Sequence, residues 1–206
     1  MSNFSSKLKN IIERDKPEEL LPLAIEQIYH VASSKESSRI TTVFSELSNI
    51  SRVEFSEKHR SAAIAFADSQ FYLLFNKKFL LDYVSEPASL IFVILHELFH
   101  KINGDMFINL GKSVREENPA LANIAFDAFI NRQILRQFLR KPVRMLKNLY
   151  AENHILLRIL TPPYFLASLS SRKGLDQLIN KLAQPGKNES EEVKRLVREA
   201  YRAVWS

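Results

Sequence analysis

The chain has 206 residues, of which 46% are hydrophobic and 25% charged, a composition typical of a soluble globular domain with a substantial core. The absence of cysteine excludes disulfides and thiolate metal ligands, so any bound metal must be held by His, Asp or Glu. The net charge is +6, but the basic residues are spread along the second half of the chain and accompany no zinc-finger or RNA-binding motif.

The N-terminal part of the chain is predicted to be helical. Residues 5–34 carry apolar side chains at helical spacing, as in Leu21, Ile25, Ile28 and Ala32. The sequence SSKESS at 33–38 is predicted to be a polar linker. Residues 40–55 are ambiguous, because their apolar spacing fits a helix while their Thr, Val and Phe content is typical of strands.

A β-hairpin is predicted over residues 63–75, AIAFADSQFYLLF. Apolar side chains alternate with other residues on both sides of a polar turn, Asp68-Ser69-Gln70, although the turn contains no glycine. This pattern predicts a small mixed or antiparallel sheet in the middle of the chain.

The rest of the chain is predicted to be helical, with helices at 86–103, 119–140, 143–160, 164–183 and 189–204. Ser85 is a candidate N-cap for the first of these, Pro87 lies in its first turn, and Gly104 is a natural stop. The sequence therefore predicts an α+β fold. Its core, residues 39–141, lies between an N-terminal helical part, 1–38, and a C-terminal helical part, 142–206.

The stretch ILHELFHKINGD, residues 94–105, carries the clearest chemical signal. His96 and His100 are four residues apart on a predicted helix, so their imidazoles share one face and can bind one metal ion. Glu97 is placed to accept a proton from a water molecule that the metal makes more acidic. This HExxH pattern is typical of zinc metallopeptidases, and the apolar helix around it implies burial, where such groups need partners or a metal.

Two aspartates compete for the position of third metal ligand. Asp105 lies about 900° of helical rotation beyond His96, so it can reach the metal only if the helix ends and the chain turns back at Gly104. Asp127 lies between Asn123 and Asn131 on one polar stripe of an otherwise apolar helix, and it could bind the metal or orient a histidine. From the sequence, Asp105 is the first choice and Asp127 the second.

Three stretches resemble a bacterial metallopeptidase domain of the zincin group, the kind usually found before a von Willebrand factor A-like domain. They are AIAFADSQFYLLFNKKFL, LIFVILHELFHKINGD and NPALANIAFDAFIN, within residues 40–135. The resemblance implies a zincin-like fold in which a small sheet packs on the HExxH helix and an edge strand lies beside the cleft. It also implies that His96 and His100 bind zinc and that Glu97 is the general base. The chain departs from the family at Asp105, where a histidine is common.

We therefore expect a cytoplasmic, zinc-dependent metallopeptidase that acts on peptide or protein substrates. No signal-like apolar segment begins the chain, and its apolar runs are too short to cross a bilayer. Two alternatives remain open at this stage. One is a non-catalytic metal-binding scaffold for protein interaction, and the other is a DNA-associated protease, which the basic charge would suit.

Overall fold

The computed structural model describes residues 3–104, 119–139, 143–150 and 160. This part of the chain is a mixture of helices and three strands, with two short 3₁₀ helices at Pro17–Glu19 and Ser45–Asn49. The α-helices and strands, in chain order, are α1 Asn3–Glu13, α2 Leu20–Val31, α3 Ser34–Phe44, β1 Ile50–Phe55, β2 Ala62–Ala67, β3 Gln70–Phe75, α4 Lys77–Tyr83, α5 Pro87–Ile102, α6 Pro119–Gln137 and α7 Met145–Tyr150. The α+β class expected from the sequence is confirmed.

The chain divides into two compact units, one formed by Met1–Asp105 with Ile134–Met145 and the other by Met106–Gln133 with Leu146–Ser206. The first unit contains α1 to α5 and the whole sheet. The division falls within α6, which is a continuous helix, so the last turn of α6 belongs to the first unit.

The sheet has the strand order β1-β3-β2, with β1 parallel to β3 and β2 antiparallel to it. The small mixed sheet and the β2–β3 hairpin agree with the sequence. Asp68 and Ser69 form the two-residue turn with φ values of 49° and 60°, a left-handed pair that matches a type I′ turn. Aspartate tolerates this conformation better than most residues, which explains how the hairpin closes without glycine.

Helix α5 supplies much of the core of the first unit. Ten of its residues are buried, and Pro87 occupies its first turn as expected. Glu86, not Ser85, is at the N-cap position, and the Glu86 side chain instead accepts a hydrogen bond from the backbone N–H of Arg144. The helix ends at Ile102, within one residue of the predicted end.

The predicted linker at 33–38 is wrong, because this segment forms the first turn of α3. Ser33 is its N-cap and makes a capping box with Glu36: the Ser33 hydroxyl accepts from the Glu36 N–H, and the Glu36 carboxylate accepts from the Ser33 N–H at 2.9 Å. The ambiguous segment 40–55 divides into the end of α3, a 3₁₀ helix and β1. Helix α4 was not predicted.

The capping box gives a stability prediction. Ser33→Ala removes the hydroxyl that accepts the Glu36 N–H and should lower the free energy of unfolding by about 1 kcal/mol. Denaturant unfolding followed by circular dichroism measures this change. Ser38→Ala, at an exposed position inside the same helix, is the matched control and should change stability by less than about 0.5 kcal/mol. Equal losses in the two variants would contradict a capping role for Ser33.

The later helical predictions have mixed outcomes. The helix predicted at 119–140 is confirmed as α6, and α7 covers the first residues of the helix predicted at 143–160. The helices predicted at 164–183 and 189–204 lie outside the described residues. Among the helices that the structure describes, none combines the length and the apolar character that a membrane span requires.

Candidate metal centre

Helix α5 brings His96 and His100 together, as their spacing predicts. Their Nε2 atoms lie 3.0 Å apart, and both side chains are partly exposed. At this distance the two imidazoles can share one hydrogen bond when one of them carries a proton at Nε2. When both present an unprotonated Nε2 to the same point, the pair can instead hold a metal ion.

Glu97, the residue after His96, is held by a hydrogen bond from a backbone N–H of the sheet. Its side chain is buried, with 8% exposed, and its Oε2 atom accepts a hydrogen bond from the N–H of Ile64 in β2 at 3.1 Å. A carboxylate has about four acceptor positions on its two oxygens, so this bond orients Glu97 without exhausting its capacity to accept a proton. The buried carboxylate of the motif is thus oriented by the backbone of β2.

The Ile64 N–H is available because β2 lies at an edge of the sheet. In a two-residue hairpin the closing residues, here Ala67 and Gln70, form a hydrogen-bonded pair, and such pairs alternate along the ladder. Ile64, three residues before Ala67, therefore directs its N–H away from β3. The structure thus has β2, an edge strand, beside the HExxH helix.

Asp127, on α6, is the third potential ligand that the structure brings to the histidines. One ligand atom from each of His96, His100 and Asp127 lies within 4.8 Å of the other two, and all three residues are partly exposed. Donor atoms around a tetrahedral zinc are roughly 3.3 Å apart, so ligand atoms that lie within 4.8 Å of one another are compatible with a single bound ion. Two imidazoles and a carboxylate suit zinc and also other divalent transition metals.

The three residues of the polar stripe on α6 differ in how far their side chains are exposed. Asn131 is completely buried, Asp127 is partly exposed, and Asn123 is exposed. Only the central member of the stripe is grouped with the two histidines. The stripe therefore indicated the helix that contributes a carboxylate to this group, but its spacing alone could not show which of the three residues lies closest to the histidines.

Asp105, the first choice from the sequence, lies outside the described residues. Gly104, where the chain was expected to turn back, does not have a conformation that requires glycine. Helix α5 ends with Asn103 at φ −97°, and Gly104 does not adopt a positive φ. A Cβ built on Gly104 would meet no atom within 4 Å, so this position does not require glycine.

The C-terminal end of α5 is anchored by the two residues that flank His100 in sequence. Lys101, directly after His100, forms an ion pair with Glu46 at 3.2 Å and places its Nζ 4.9 Å from the centre of the Phe71 ring. Two residues earlier, Phe99 packs edge-on against Phe138, with ring centres 5.5 Å apart. These contacts fix the direction of the helix and therefore of its motif side chains.

Two groups that contact the motif were not predicted from the sequence. The Ile64 N–H is a backbone group, so no residue type could signal it, although the hairpin register would identify it once the edge strand is known. Lys101 belongs to no recognisable sequence motif, and the residues that it contacts, Glu46 and Phe71, are distant in sequence.

Comparison of the chain with protein-family models, curated proteins and solved structures finds no match. Membership of the zincin group therefore stays a prediction, and the interpretation of the site depends on its geometry.

Proposed function

We propose that this protein is a zinc-dependent metallopeptidase in which His96, His100 and Asp127 hold the metal and Glu97 is the general base. One observation supports the proposal above all: ligand atoms of the two motif histidines and of Asp127 lie within 4.8 Å of one another. The buried carboxylate of Glu97 lies directly beside them in sequence and is held by the edge strand.

The donor set favours a catalytic site over a closed structural one. Structural zinc sites in proteins usually have four protein ligands, often cysteines, whereas catalytic sites have three and keep one position for water or substrate. The three candidate ligands here are each partly exposed, so a substrate could reach them. The same donor set occurs with iron(II), and elemental analysis distinguishes the two metals.

Zinc bound here would supply a Lewis acid that polarises the peptide carbonyl and makes the attacking water more acidic. Glu97 would accept the proton of that water on its carboxylate and pass it to the leaving amine nitrogen. The Ile64 N–H would keep the carboxylate in place through Oε2 during both transfers. The peptide C–N bond would break as the water oxygen forms the new C–O bond; one proton of the water would reach the amine through Glu97, and the other would remain with the new carboxyl group.

Metal removal tests this proposal directly. Protein as purified should contain about one zinc per chain and cleave a denatured protein such as casein; o-phenanthroline should abolish cleavage, and added zinc should restore it. Elemental analysis by mass spectrometry measures the metal, and release of labelled peptides measures the activity. Persistence of full cleavage in metal-free protein would refute the proposal.

The other two expectations are separable from this one. A non-catalytic scaffold would bind zinc and would cleave no peptide bond. A DNA-associated protease would bind labelled duplex DNA with an affinity that falls steeply between two salt concentrations, because phosphate contacts release counterions. The cytoplasmic location also stays a prediction.

A further inference from the structure

An exposed aromatic pair lies near the candidate metal centre. Phe66, near the end of β2, is 64% exposed, and its ring lies 4.8 Å from the ring of Phe71 across the hairpin, with the planes inclined by 48°. Large apolar side chains with this degree of exposure often mark a binding surface when they are grouped. Phe66 and Phe71 together form an aromatic platform.

The platform lies on the face of the sheet that packs on the helices. Phe66 is directly opposite Phe71, and Ile64 is directly opposite Leu73, which is completely buried. Directly opposed residues project to the same face of a sheet, and so do alternate residues of one strand. Phe66 and Phe71 therefore lie on the same face as Ile64 and the buried Leu73. Two residues along a strand span about 7 Å, which places Phe66 that far from the backbone that holds Glu97.

A second route also connects the platform to the motif. Lys101 follows His100 on α5, and its Nζ lies over the Phe71 ring at 4.9 Å. Two contacts therefore connect this part of α5 to the hairpin: Glu97 accepts a hydrogen bond from the backbone of β2, and Lys101 packs on the Phe71 ring of the platform. Both contacts lie within the first unit.

We propose that the aromatic platform binds a large apolar side chain of the peptide substrate, next to the bond that is cleaved. This inference rests on the proposed function and adds the substrate class: peptides with Phe, Tyr, Leu or Met beside the scissile bond. Phe66 would be the specificity-determining residue, since most of its ring is open to an incoming side chain. Phe71 would pack against that ring, and Lys101 would hold Phe71 in place through the contact of its Nζ with the Phe71 ring.

Binding tests the platform without catalysis. Fluorescein-labelled peptides of the form Gly-Gly-X-Gly-Gly, with X as Phe, Leu, Ser or Asp, are titrated with zinc-loaded Glu97→Gln protein and followed by anisotropy. The Phe and Leu peptides should bind about tenfold more tightly than the Ser and Asp peptides, as one apolar side chain on an aromatic surface allows. Adding Phe66→Ala should reduce this ratio to about one.

Two variants control the experiment. Phe66→Tyr keeps the ring and should keep the preference. Leu81→Ala removes another exposed apolar side chain, from α4, at 54% exposure, and should leave the ratio unchanged. Thermal unfolding confirms that each variant is folded. The inference fails when the peptides bind without preference, when none binds, or when Phe66→Ala keeps the full preference.

Mapping of cleavage sites separates this inference from the proposed function. Native protein is incubated with a peptide mixture, and the products are identified by mass spectrometry. Enrichment of large apolar residues at one position beside the cleaved bond, lost in Phe66→Ala, supports both. Zinc-dependent cleavage without that enrichment overturns the platform and leaves the metallopeptidase proposal standing. Absence of cleavage together with selective binding in the anisotropy experiment overturns the metallopeptidase proposal and keeps the platform as a binding site.

Discussion

Glu97→Gln is expected to bind zinc as the native chain does and to lose peptide hydrolysis by about 10²–10⁴-fold, because general-base catalysis contributes that much and glutamine cannot accept the proton. The substitution is nearly isosteric. The amide oxygen of glutamine can still accept the Ile64 N–H, so the hydrogen bond that orients the side chain should persist. The loss should appear in kcat and not in zinc content.

Three measurements test the Glu97 prediction: the zinc content per chain, thermal unfolding with and without zinc, and the initial rate of peptide release. Glu57→Gln, an exposed glutamate on the segment between β1 and β2, removes the same charge without touching the motif and should cleave at the native rate. A Glu97→Gln protein that retains its zinc and cleaves at the native rate would show that another group is the base. A variant that loses both zinc and its folded structure would assign Glu97 a structural role.

Local patterns explain why part of the site was predictable. The helical spacing of apolar residues and Pro87 located α5, and the four-residue separation of His96 and His100 determined that they share a face. The hairpin was equally predictable, since alternation and a short polar turn specify it within fourteen residues. In each case the interacting residues are close in sequence.

Two parts of the fold were not predicted correctly, for different reasons: β1 lies in a segment that was left ambiguous, and residues 33–38 were predicted to be a linker. Strand β1 pairs in parallel with β3, from which it is separated by the whole of β2, and no local pattern specifies such a partner. The segment at 33–38 was different, because the signal was present: Ser33 and Glu36 have the Ser-x-x-Glu spacing of a capping box. Its serine-rich composition suggested a linker, but the spacing of those two residues was the better guide.

The third ligand could not be chosen from the sequence because the choice depends on tertiary structure. Asp105 is close to the motif along the chain, and its selection required the chain to turn back at Gly104. Gly104 does not have the positive φ that a glycine-specific turn would use, and Asp105 lies outside the described residues. Asp127 is 27 residues beyond His100, and only the folded chain shows that its carboxylate approaches the two histidines.

Asp127→Ala is therefore expected to remove zinc almost completely, as His96→Ala and His100→Ala should. Loss of a residue that merely orients a ligand typically weakens metal binding about 10–100-fold, so a true ligand should exceed that range. Competition with a chromophoric zinc chelator measures the affinity of each variant. The same series shows whether the metal stabilises the fold, because added zinc should raise the unfolding temperature of the native chain and not that of the ligand variants.

Asp105→Ala is the decisive companion to Asp127→Ala. With Asp127 as the ligand, Asp105→Ala should bind zinc within about 100-fold of the native affinity, the range for a group outside the coordination sphere. Gly104→Ala should bind zinc normally, since a Cβ at that position meets no neighbouring atom and the backbone conformation suits any residue. The opposite pattern, with zinc lost in Asp105→Ala and kept in Asp127→Ala, would transfer the third ligand to the segment after α5. Asp127 would then lie beside the histidines as a hydrogen-bonding partner, and its substitution would change the orientation of an imidazole without releasing the metal.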